Sequence, residues 1–273
     1  MNVSLPHIPV RPKKPRETGL TMVMDKGLSL QEAENLVESG GDYIDLIKLG
    51  FGTSVITNKL KEKIRIYKRA KLKLYFGGTL FEVFIIRNMF NEYIKFIDNY
   101  GLEFAEVSDG SMYMPHEQKL QYIKHLAAKV TVLSEVGSKQ KGVVIPTDKW
   151  INMMKKELEA GSWKVIAEAR ESGTTGIFHS DGTADKNLID SISKHIDPGR
   201  IIWEAPLKAQ QVWFIKLFGC NVNLGNIACN EVIPLETLRL GLRGDTFFNF
   251  LPDDLKTKKQ QPTDNPHNKN YQV

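Results

Sequence analysis

The chain has 273 residues, of which 41% are hydrophobic and 25% are charged. This composition is typical of a globular protein with a substantial core, and an α/β barrel of this length is ordinarily one domain. The net charge is +5 at pH 7, a modest excess that would suit an enzyme with anionic substrates. Because no dense basic run or recognised nucleic-acid module follows the N-terminal segment, we expect no nucleic-acid partner.

The two ends of the chain differ in composition from the middle. Residues 1–18 contain four prolines and four Lys or Arg residues, which predicts a flexible arm, and the polar residues 251–273 are predicted to form a disordered tail. No run approaches the roughly 18 apolar residues of a membrane span, and the N-terminus lacks the apolar stretch of a signal peptide. The two cysteines form no metal or redox motif. We therefore expect a cytoplasmic protein with no membrane partner.

The first half of the chain alternates short apolar runs with longer helical patterns. A capping box of Ser29 and Glu32 predicts the start of the first helix. The predicted strands cover residues 20–24, 43–49, 72–76, 103–107 and 130–136, and the predicted helices cover residues 29–39, 58–69, 80–99 and 115–129. The helix over 80–99 has a wider apolar stripe than one sheet face requires, so it is either a well-buried barrel helix or one that also faces a second subunit of a homo-oligomer.

Residues 148–172 allow two interpretations. They could form one long helix, with the sixth strand at 176–179. We prefer a helix that ends near Glu159 and a sixth strand at 164–169, because Ala160 and Gly161 make a natural helix end. The remaining predicted helices cover residues 186–195, 209–218 and 235–242, and the remaining strands cover residues 200–204 and 221–224.

Eight predicted strands therefore alternate with eight predicted helices between residues 19 and 250. That count favours a single-domain α/β protein with a (β/α)8 barrel, the TIM-barrel fold, over an open doubly wound sheet. No G-x-G-x-x-G fingerprint follows the first strand, which argues against dinucleotide binding. In such barrels the active site lies at the carboxyl ends of the strands, and the site residues are expected there.

The predicted strand ends are rich in carboxylates and lysines. Because a carboxylate that faces a barrel core is costly unless it is paired or binds a metal, this set predicts either an ion-pair network or a divalent-cation site. Oxygen ligands without a His or Cys cluster favour Mg²⁺ over Zn²⁺. The candidate metal ligands are Asp25, Glu106, Asp109, Glu168 and Glu204, and the candidate catalytic residues are Glu135, Lys26, Lys48 and Lys139.

Two further segments are candidates for phosphate binding. An arginine fork matches phosphate oxygens, and glycine lets backbone N–H groups approach an anion. Phosphate sites in these barrels often use the last strand ends. The candidate residues are Arg170, Ser172 and Gly173 after the sixth strand, and Asn223, Gly225 and Asn226 at the eighth.

Short stretches spread in order over residues 19–248 resemble the phosphosulfolactate synthase family, whose members are barrel enzymes of coenzyme M biosynthesis. The stretches are GLT at 19–21, DKG at 25–27, GDYID at 41–45, KLGFGTS at 48–54, GGTLFE at 77–82, EVSDG at 106–110, EVG at 135–137, RESG at 170–173, EAP at 204–206, QQV at 210–212, NLGNIA at 223–228 and LRGDT at 242–246. Their number and order make the resemblance far more specific than any one motif.

The resemblance implies a carbon–sulfur lyase acting in the synthetic direction, in which sulfite adds to C3 of phosphoenolpyruvate with Mg²⁺ and C2 is then protonated, giving (2R)-O-phospho-3-sulfolactate. Lys139 is the candidate general acid, because the family carries a pair of lysines where this chain has Ser138 and Lys139. Glu135 could orient that lysine, and Lys48 and Lys26 are the next candidates. Plant heat-stress-associated proteins resemble the same family, so a non-catalytic thermotolerance barrel is the alternative. The retained carboxylates and phosphate loop favour an enzyme, although residues 173–185 depart from the family.

Overall fold

The computed structural model describes residues 2–139 and 143–257, and in them eight parallel strands form one sheet. The strands are β1 (Thr21–Asp25), β2 (Leu46–Leu49), β3 (Lys73–Phe76), β4 (Phe104–Val107), β5 (Thr131–Val136), β6 (Ser162–Ala167), β7 (Ile201–Glu204) and β8 (Leu224–Ala228). Their order is β3-β2-β1-β8-β7-β6-β5-β4, and β3 also lies beside β4. The sheet is therefore a nearly closed barrel, which confirms the predicted fold and single domain.

Helices alternate with these strands and cover the outside of the barrel. They are α1 (Leu30–Gly40), α2 (Leu60–Arg69), α3 (Gly78–Ile85), α4 (Phe90–Tyr100), α5 (His116–Ala127), α6 (Thr147–Glu159), α7 (Lys186–His195), α8 (Lys208–Phe218), α9 (Val232–Arg239) and the short α10 (Asp253–Lys256). Helix α1 begins at the predicted capping box, in which Ser29 and Glu32 each accept a hydrogen bond from the backbone of the other. None of the helices in the described ranges has the length and apolar character needed to cross a membrane.

The strands are buried on both faces, as expected where helices cover a parallel sheet. Side chains alternate along each strand. In β1, Met22 points into the barrel and Val23 points toward the helices. The barrel interior is filled by a cluster of Leu20, Met22, Leu46, Tyr75, Leu133, Ile166 and Ile202. This cluster fills the middle of the barrel, so a ligand can reach only the two ends of the barrel.

The prediction of one continuous helix over residues 80–99 was wrong, because the chain forms two helices there, α3 and α4, with a break between them. Asn88 adopts a left-handed conformation with φ 57°. The N–H of Met89 donates to the carbonyl of Phe84, and the N–H of Asn88 donates to that of Ile85, which is the hydrogen-bond pattern of a helix end. Asparagine tolerates this conformation better than most residues. The contact of this region with a second subunit stays a prediction.

The preferred interpretation of residues 148–172 is confirmed in outline. Helix α6 ends at Glu159, Gly161 has φ 115°, and β6 follows two residues earlier than predicted. The eighth strand was predicted at residues 221–224, but β8 begins only at Leu224. The second strand starts later than predicted, after a 3-10 turn at Gly41–Tyr43.

The N-terminal segment packs against the amino end of the barrel, which differs from the predicted flexible arm. Arg16 is buried and pairs with Asp45 at 2.8 Å. Arg11 pairs with Glu236 at 2.9 Å and donates to the main-chain carbonyl of Gly19. These contacts tie the segment to the start of β1 and to α9. Most of the predicted tail lies outside the described residues, which end at 257.

Candidate active site

Four glutamates converge on the carboxyl end of the barrel. Glu106, Glu135 and Glu204 lie on β4, β5 and β7, and Glu168 follows β6 directly. All four side chains are almost fully buried. Above them a cavity of about 340 Å³ opens to solvent. Its lining residues are Met24, Lys48, Phe51, Gly77, Thr79, Ser111, Glu135, Lys139, Glu168, Arg170, Glu171, Glu204 and Asn226.

Lys48 stands at the centre of this cluster. It comes from β2, and its Nζ lies 3.0 Å from Glu106, 3.2 Å from Glu135 and 3.4 Å from Glu204. Burial opposes the ammonium charge, but the three carboxylates outweigh it and raise the pKa of Lys48 well above its usual value. Lys48 is therefore a fixed positive charge that links β2 to three other strands.

Lys139 occupies a similar position on the other side of the cluster. Its Nζ lies 2.6 Å from Glu135, 3.5 Å from Glu82 and 3.6 Å from Glu168. Its side chain keeps about a fifth of its surface exposed, and it lines the cavity. Burial lowers the pKa of Lys139, but the carboxylates of Glu135, Glu168 and Glu82 raise it by more, so the pKa lies above its usual value. Lys139 is thus a protonated ammonium that can reach a bound ligand.

The cluster holds more carboxylates than cations. Five glutamates surround two lysines when Glu82 is included. Burial raises the pKa of Glu106 to about 7, against the pull of Lys48. Burial and the neighbouring Glu135 and Glu204 raise the pKa of Glu168 well above its usual value. The pKa of Glu135 lies well below its usual value, because Lys139 and Lys48 outweigh the effect of burial. Some of these carboxyl groups therefore keep a proton unless another cation arrives.

Three members of the cluster fit a divalent cation. Glu135, Glu168 and Glu204 each offer an oxygen, and these oxygens lie within 4.8 Å of one another. Glu204 also accepts the Ala169 N–H at 3.0 Å. Within the described residues, Glu168 Oε2 is buried without a hydrogen-bond partner. Hard oxygen donors with an excess of negative charge are the ligands that Mg²⁺ prefers.

The seam between β3 and β4 is bridged by side chains at this end. The Gly78 N–H donates to Glu106 at 2.6 Å, and the Ser108 hydroxyl donates to Glu82. A Cβ at Gly78 would lie 2.6 Å from Glu106 Oε1, so the close approach of α3 requires glycine there. The start of α3 is thereby fixed at the cavity wall.

The mouth of the cavity is crossed by two contacts between loops. Lys26, after β1, pairs with Glu171 at 3.0 Å. Arg170 donates to the carbonyl of Lys139 at 3.1 Å, and its own N–H donates to Glu168. Arg170 has φ 54°, a strained conformation for a residue other than glycine. Asn226, from β8, also lines the cavity with φ 55°, and its buried Oδ1 has no hydrogen-bond partner within the described ranges.

Two of the candidate metal ligands point away from the cluster. Asp25 faces the helices, where it pairs with Lys63 at 2.9 Å and accepts the Tyr67 hydroxyl. Asp109 pairs with Lys119 of α5 at 2.8 Å. Each carboxylate is thus satisfied by a helix, and the structure does not bring either into the cavity.

Several phosphate candidates also lie elsewhere. Asn223 precedes β8 and sits at the amino end of the barrel, where it bonds the backbone of Leu20, Gly199 and Ile201. Its predicted place at the carboxyl end was therefore wrong. The remaining three do not line the cavity: Gly225 packs against Met22 and Ile202, Ser172 bonds Thr174, and Gly173 accepts from Gln210.

Two acidic residues of the site are not among the predicted site residues. Glu82 of α3 is buried, accepts the Ser111 N–H at 2.8 Å and approaches Lys139. A single acid in the apolar run from Leu80 to Ile86 was the available signal, because a lone charge there requires a partner. Glu171 gave no such signal, since an acid in a polar loop is ordinarily solvated.

A second cavity of about 380 Å³ lies beside the mouth, between the loops after β5 and β6. It contains His179 and Asp185. Asp185 already caps α7 by accepting the Leu188 N–H. The buried charge is concentrated in the first cavity, which is therefore the candidate active site.

The fold and the buried charged pocket at the strand ends define a TIM-barrel enzyme. Residues 9–245 match the family model of (2R)-phospho-3-sulfolactate synthase (ComA). The chain is 44% identical over 244 residues to phosphosulfolactate synthase of Bacillus subtilis, covering 88% of this chain and 97% of that protein. It is also 44% identical over 237 residues to the enzyme of the same name from Methanocaldococcus jannaschii, covering 85% and 94%. The chain belongs to the phosphosulfolactate synthase family.

A solved structure supports the fold independently of the family. The 3-hexulose-6-phosphate synthase of Salmonella typhimurium superposes with a TM-score of 0.54 over 82% of this chain and all of that one. The two sequences are only 14% identical. The likeness therefore concerns the barrel and carries no information about substrate.

Proposed function

We propose that this enzyme adds sulfite to C3 of phosphoenolpyruvate in a Mg²⁺-dependent reaction, giving (2R)-O-phospho-3-sulfolactate. The observation that carries the proposal is the cluster of buried glutamates with Lys48 and Lys139 at the floor of the cavity. Family membership supports the same reaction.

The protein groups needed for binding an anionic substrate surround the cavity. Arg170 at the mouth offers a guanidinium fork for the phosphate, and Asn226 of β8, which also lines the cavity, offers an amide. Lys48 and Lys139 supply positive charge at the floor. The substrate carboxylate would face this floor, where charge develops during the reaction.

The chemistry requires one nucleophile and one proton donor. The sulfur of sulfite attacks C3, the new C–S bond forms, and the electrons of the C2–C3 double bond move toward C2 and the carboxylate. Lys139 Nζ gives its proton to C2 from one fixed face. The ester bond to phosphate stays intact. Bisulfite loses a proton when it reacts as sulfite. That proton restores the charge of Lys139, so the enzyme is unchanged at the end of each turnover.

A divalent cation has a suitable set of protein ligands in this mechanism. Glu135, Glu168 and Glu204 would hold it, because their oxygens converge and Glu168 Oε2, 3.6 Å from Lys139 Nζ, is buried without a hydrogen-bond partner among the described residues. When bound, Mg²⁺ would supply a Lewis-acid charge for the enolate-like carboxylate. Lys48 holds Glu135 and Glu204 in place through ion pairs, and Lys139 lies 3.6 Å from Glu168.

A direct product assay tests this proposal. Phosphoenolpyruvate, sulfite and Mg²⁺ are incubated with the purified protein, and the product is followed by phosphorus NMR and mass spectrometry. We expect a sulfonate that retains its phosphate, formed only when sulfite is present and abolished by exhaustive chelation. Release of inorganic phosphate without a sulfonate, or full turnover without a divalent cation, would contradict the proposal.

A further inference from the structure

The cations around the cavity differ in how firmly the protein holds them. Lys48 and Lys139 are each ion-paired with three carboxylates that are buried. Lys26 and Arg170 are solvent-accessible at the mouth. Within the described ranges, Lys26 pairs with the carboxylate of Glu171, and the Arg170 guanidinium donates to a main-chain carbonyl. An incoming anion can therefore exchange partners with the second pair of cations far more easily than with the first.

The position of Glu171 is unexpected for a pocket that takes anions. Glu171 lines the cavity and directly follows Arg170 in the chain. It reaches from the loop after β6 to Lys26 after β1, across the barrel mouth, at 3.0 Å. Lys26 also lies 5.4 Å above the Phe51 ring, which keeps its ammonium near the cavity. The Glu171 carboxylate is thus paired with a lysine that could otherwise bind a substrate phosphate.

We propose that Glu171 acts as an exchangeable counter-ion at the substrate-binding site. Its carboxylate holds Lys26 before substrate binds, and the phosphate of a phosphate-monoester substrate then takes its place between Lys26 and Arg170. This inference rests on the proposed function, because it requires that the cavity accept an anionic phosphate ester.

The exchange sets a threshold for binding. Every anion that uses Lys26 must first displace Glu171, and both partners of that pair are about half exposed, at 50% and 52%. Exposed ion pairs are weak, so the displacement weakens binding by only about two- to fivefold. A substrate that also contacts the cavity floor binds in spite of this cost. A small anion held only at the mouth does not have those additional contacts.

The test measures binding of phosphoenolpyruvate and of inorganic phosphate by calorimetry in a Mg²⁺ buffer. The proteins compared are the wild type, Glu171→Gln, Lys26→Gln, the double variant, and Glu117→Gln. The last is a matched control, since Glu117 pairs with Lys156 on the surface at 3.3 Å, away from the mouth. We expect Glu171→Gln to tighten both anions about two- to fivefold, Lys26→Gln to weaken both, and Glu117→Gln to match wild type. In the Lys26→Gln background, most of the gain from Glu171→Gln should vanish.

The possible failures are distinguishable. Binding that Glu171→Gln leaves unchanged or weakens overturns this inference but leaves the proposed function standing. A gain that persists in full without Lys26 also overturns it, because Glu171 would then act by repulsion alone. If neither anion binds the folded wild type, the proposed function fails and this inference fails with it. A loss of fold cannot imitate the expected result, since the expected result is tighter binding.

Discussion

The two ends of the barrel both bury charged side chains, but they balance those charges differently. At the amino end, Arg239 donates to three main-chain carbonyls and Lys164 donates to two. Arg16 there has its own carboxylate in Asp45. At the carboxyl end, five glutamates share Lys48 and Lys139. The buried cations at the amino end have their hydrogen bonds satisfied within the protein, whereas the carboxyl end keeps an excess of carboxylates over cations.

This difference separates stability from function. A buried cation that donates to several carbonyls holds loops together and has nothing left to offer a ligand. A group of buried carboxylates in excess is costly for the fold and persists where a cation or substrate completes it. The same division is general in TIM barrels, where the carboxyl end carries catalysis.

Replacing one lysine by methionine at each end of the barrel should give the largest difference in turnover. Lys139→Met removes the proposed proton donor, and we expect turnover to fall by roughly 10²–10⁴-fold with a smaller change in KM. Lys164→Met is the matched change at the amino end. It should lower thermal stability, because two carbonyls lose their donor, while activity per folded molecule stays within a few fold. If Lys139→Met also stays within a few fold of wild type, Lys48 or Lys26 becomes the better candidate for the acid.

Arg170→Ala should have the next largest effect, confined to substrate binding. Its guanidinium is the proposed phosphate fork, and a hydrogen bond to a charged group contributes about 1.5–3 kcal/mol. We expect KM for phosphoenolpyruvate to rise accordingly, with a smaller effect on kcat. Steady-state kinetics measure both. An unchanged KM in a folded variant would place the phosphate elsewhere in the cavity.

The smallest effect is on stability as a function of pH. The folded pKa of Glu106 is raised from 4.5 to about 7, mainly by burial. The folded protein therefore holds a proton that the unfolded chain releases, so the associated stability is present below about 4.5 and lost as pH rises toward about 7. In metal-free protein the unfolding free energy should fall by about 1–3 kcal/mol over this window, a shift of several degrees in Tm. Glu106→Gln should flatten the profile, and a wild-type profile already flat over that window would count against the raised pKa.

The sequence predicted the barrel because its apolar runs and helix patterns alternate regularly. Glu106, Glu135 and Glu204 were placed at the rim because each ends an apolar strand, and Glu168 followed from choosing the strand near residue 164. The break at Asn88 was missed, since an apolar pattern continues across it and only the left-handed backbone ends the helix.

The rest of the site depends on contacts that sequence spacing does not reveal. Asp25 looks like a rim carboxylate until Lys63, from α2, is seen to hold it. Glu82 looks like a helix acid until Lys139 and the Ser111 N–H are brought to it. Asn223 was assigned to the wrong end because the short strand β8 could be shifted along a sequence of small and polar residues. These partners are distant in the chain, so only the folded structure can pair them.

Binding of Mg²⁺ tests most directly the claim that the carboxyl end is incomplete without a cation. Calorimetric titration of the metal-free protein, in two buffers of different ionisation enthalpy, gives stoichiometry, affinity and protons released. We predict one saturable site per chain with net proton release, since Glu168 must lose its proton to serve as a ligand. Glu168→Gln should weaken that site strongly, and Glu157→Gln, a buried change on α6 beside Lys119, should not. Absence of saturable binding to the folded wild type would contradict the account.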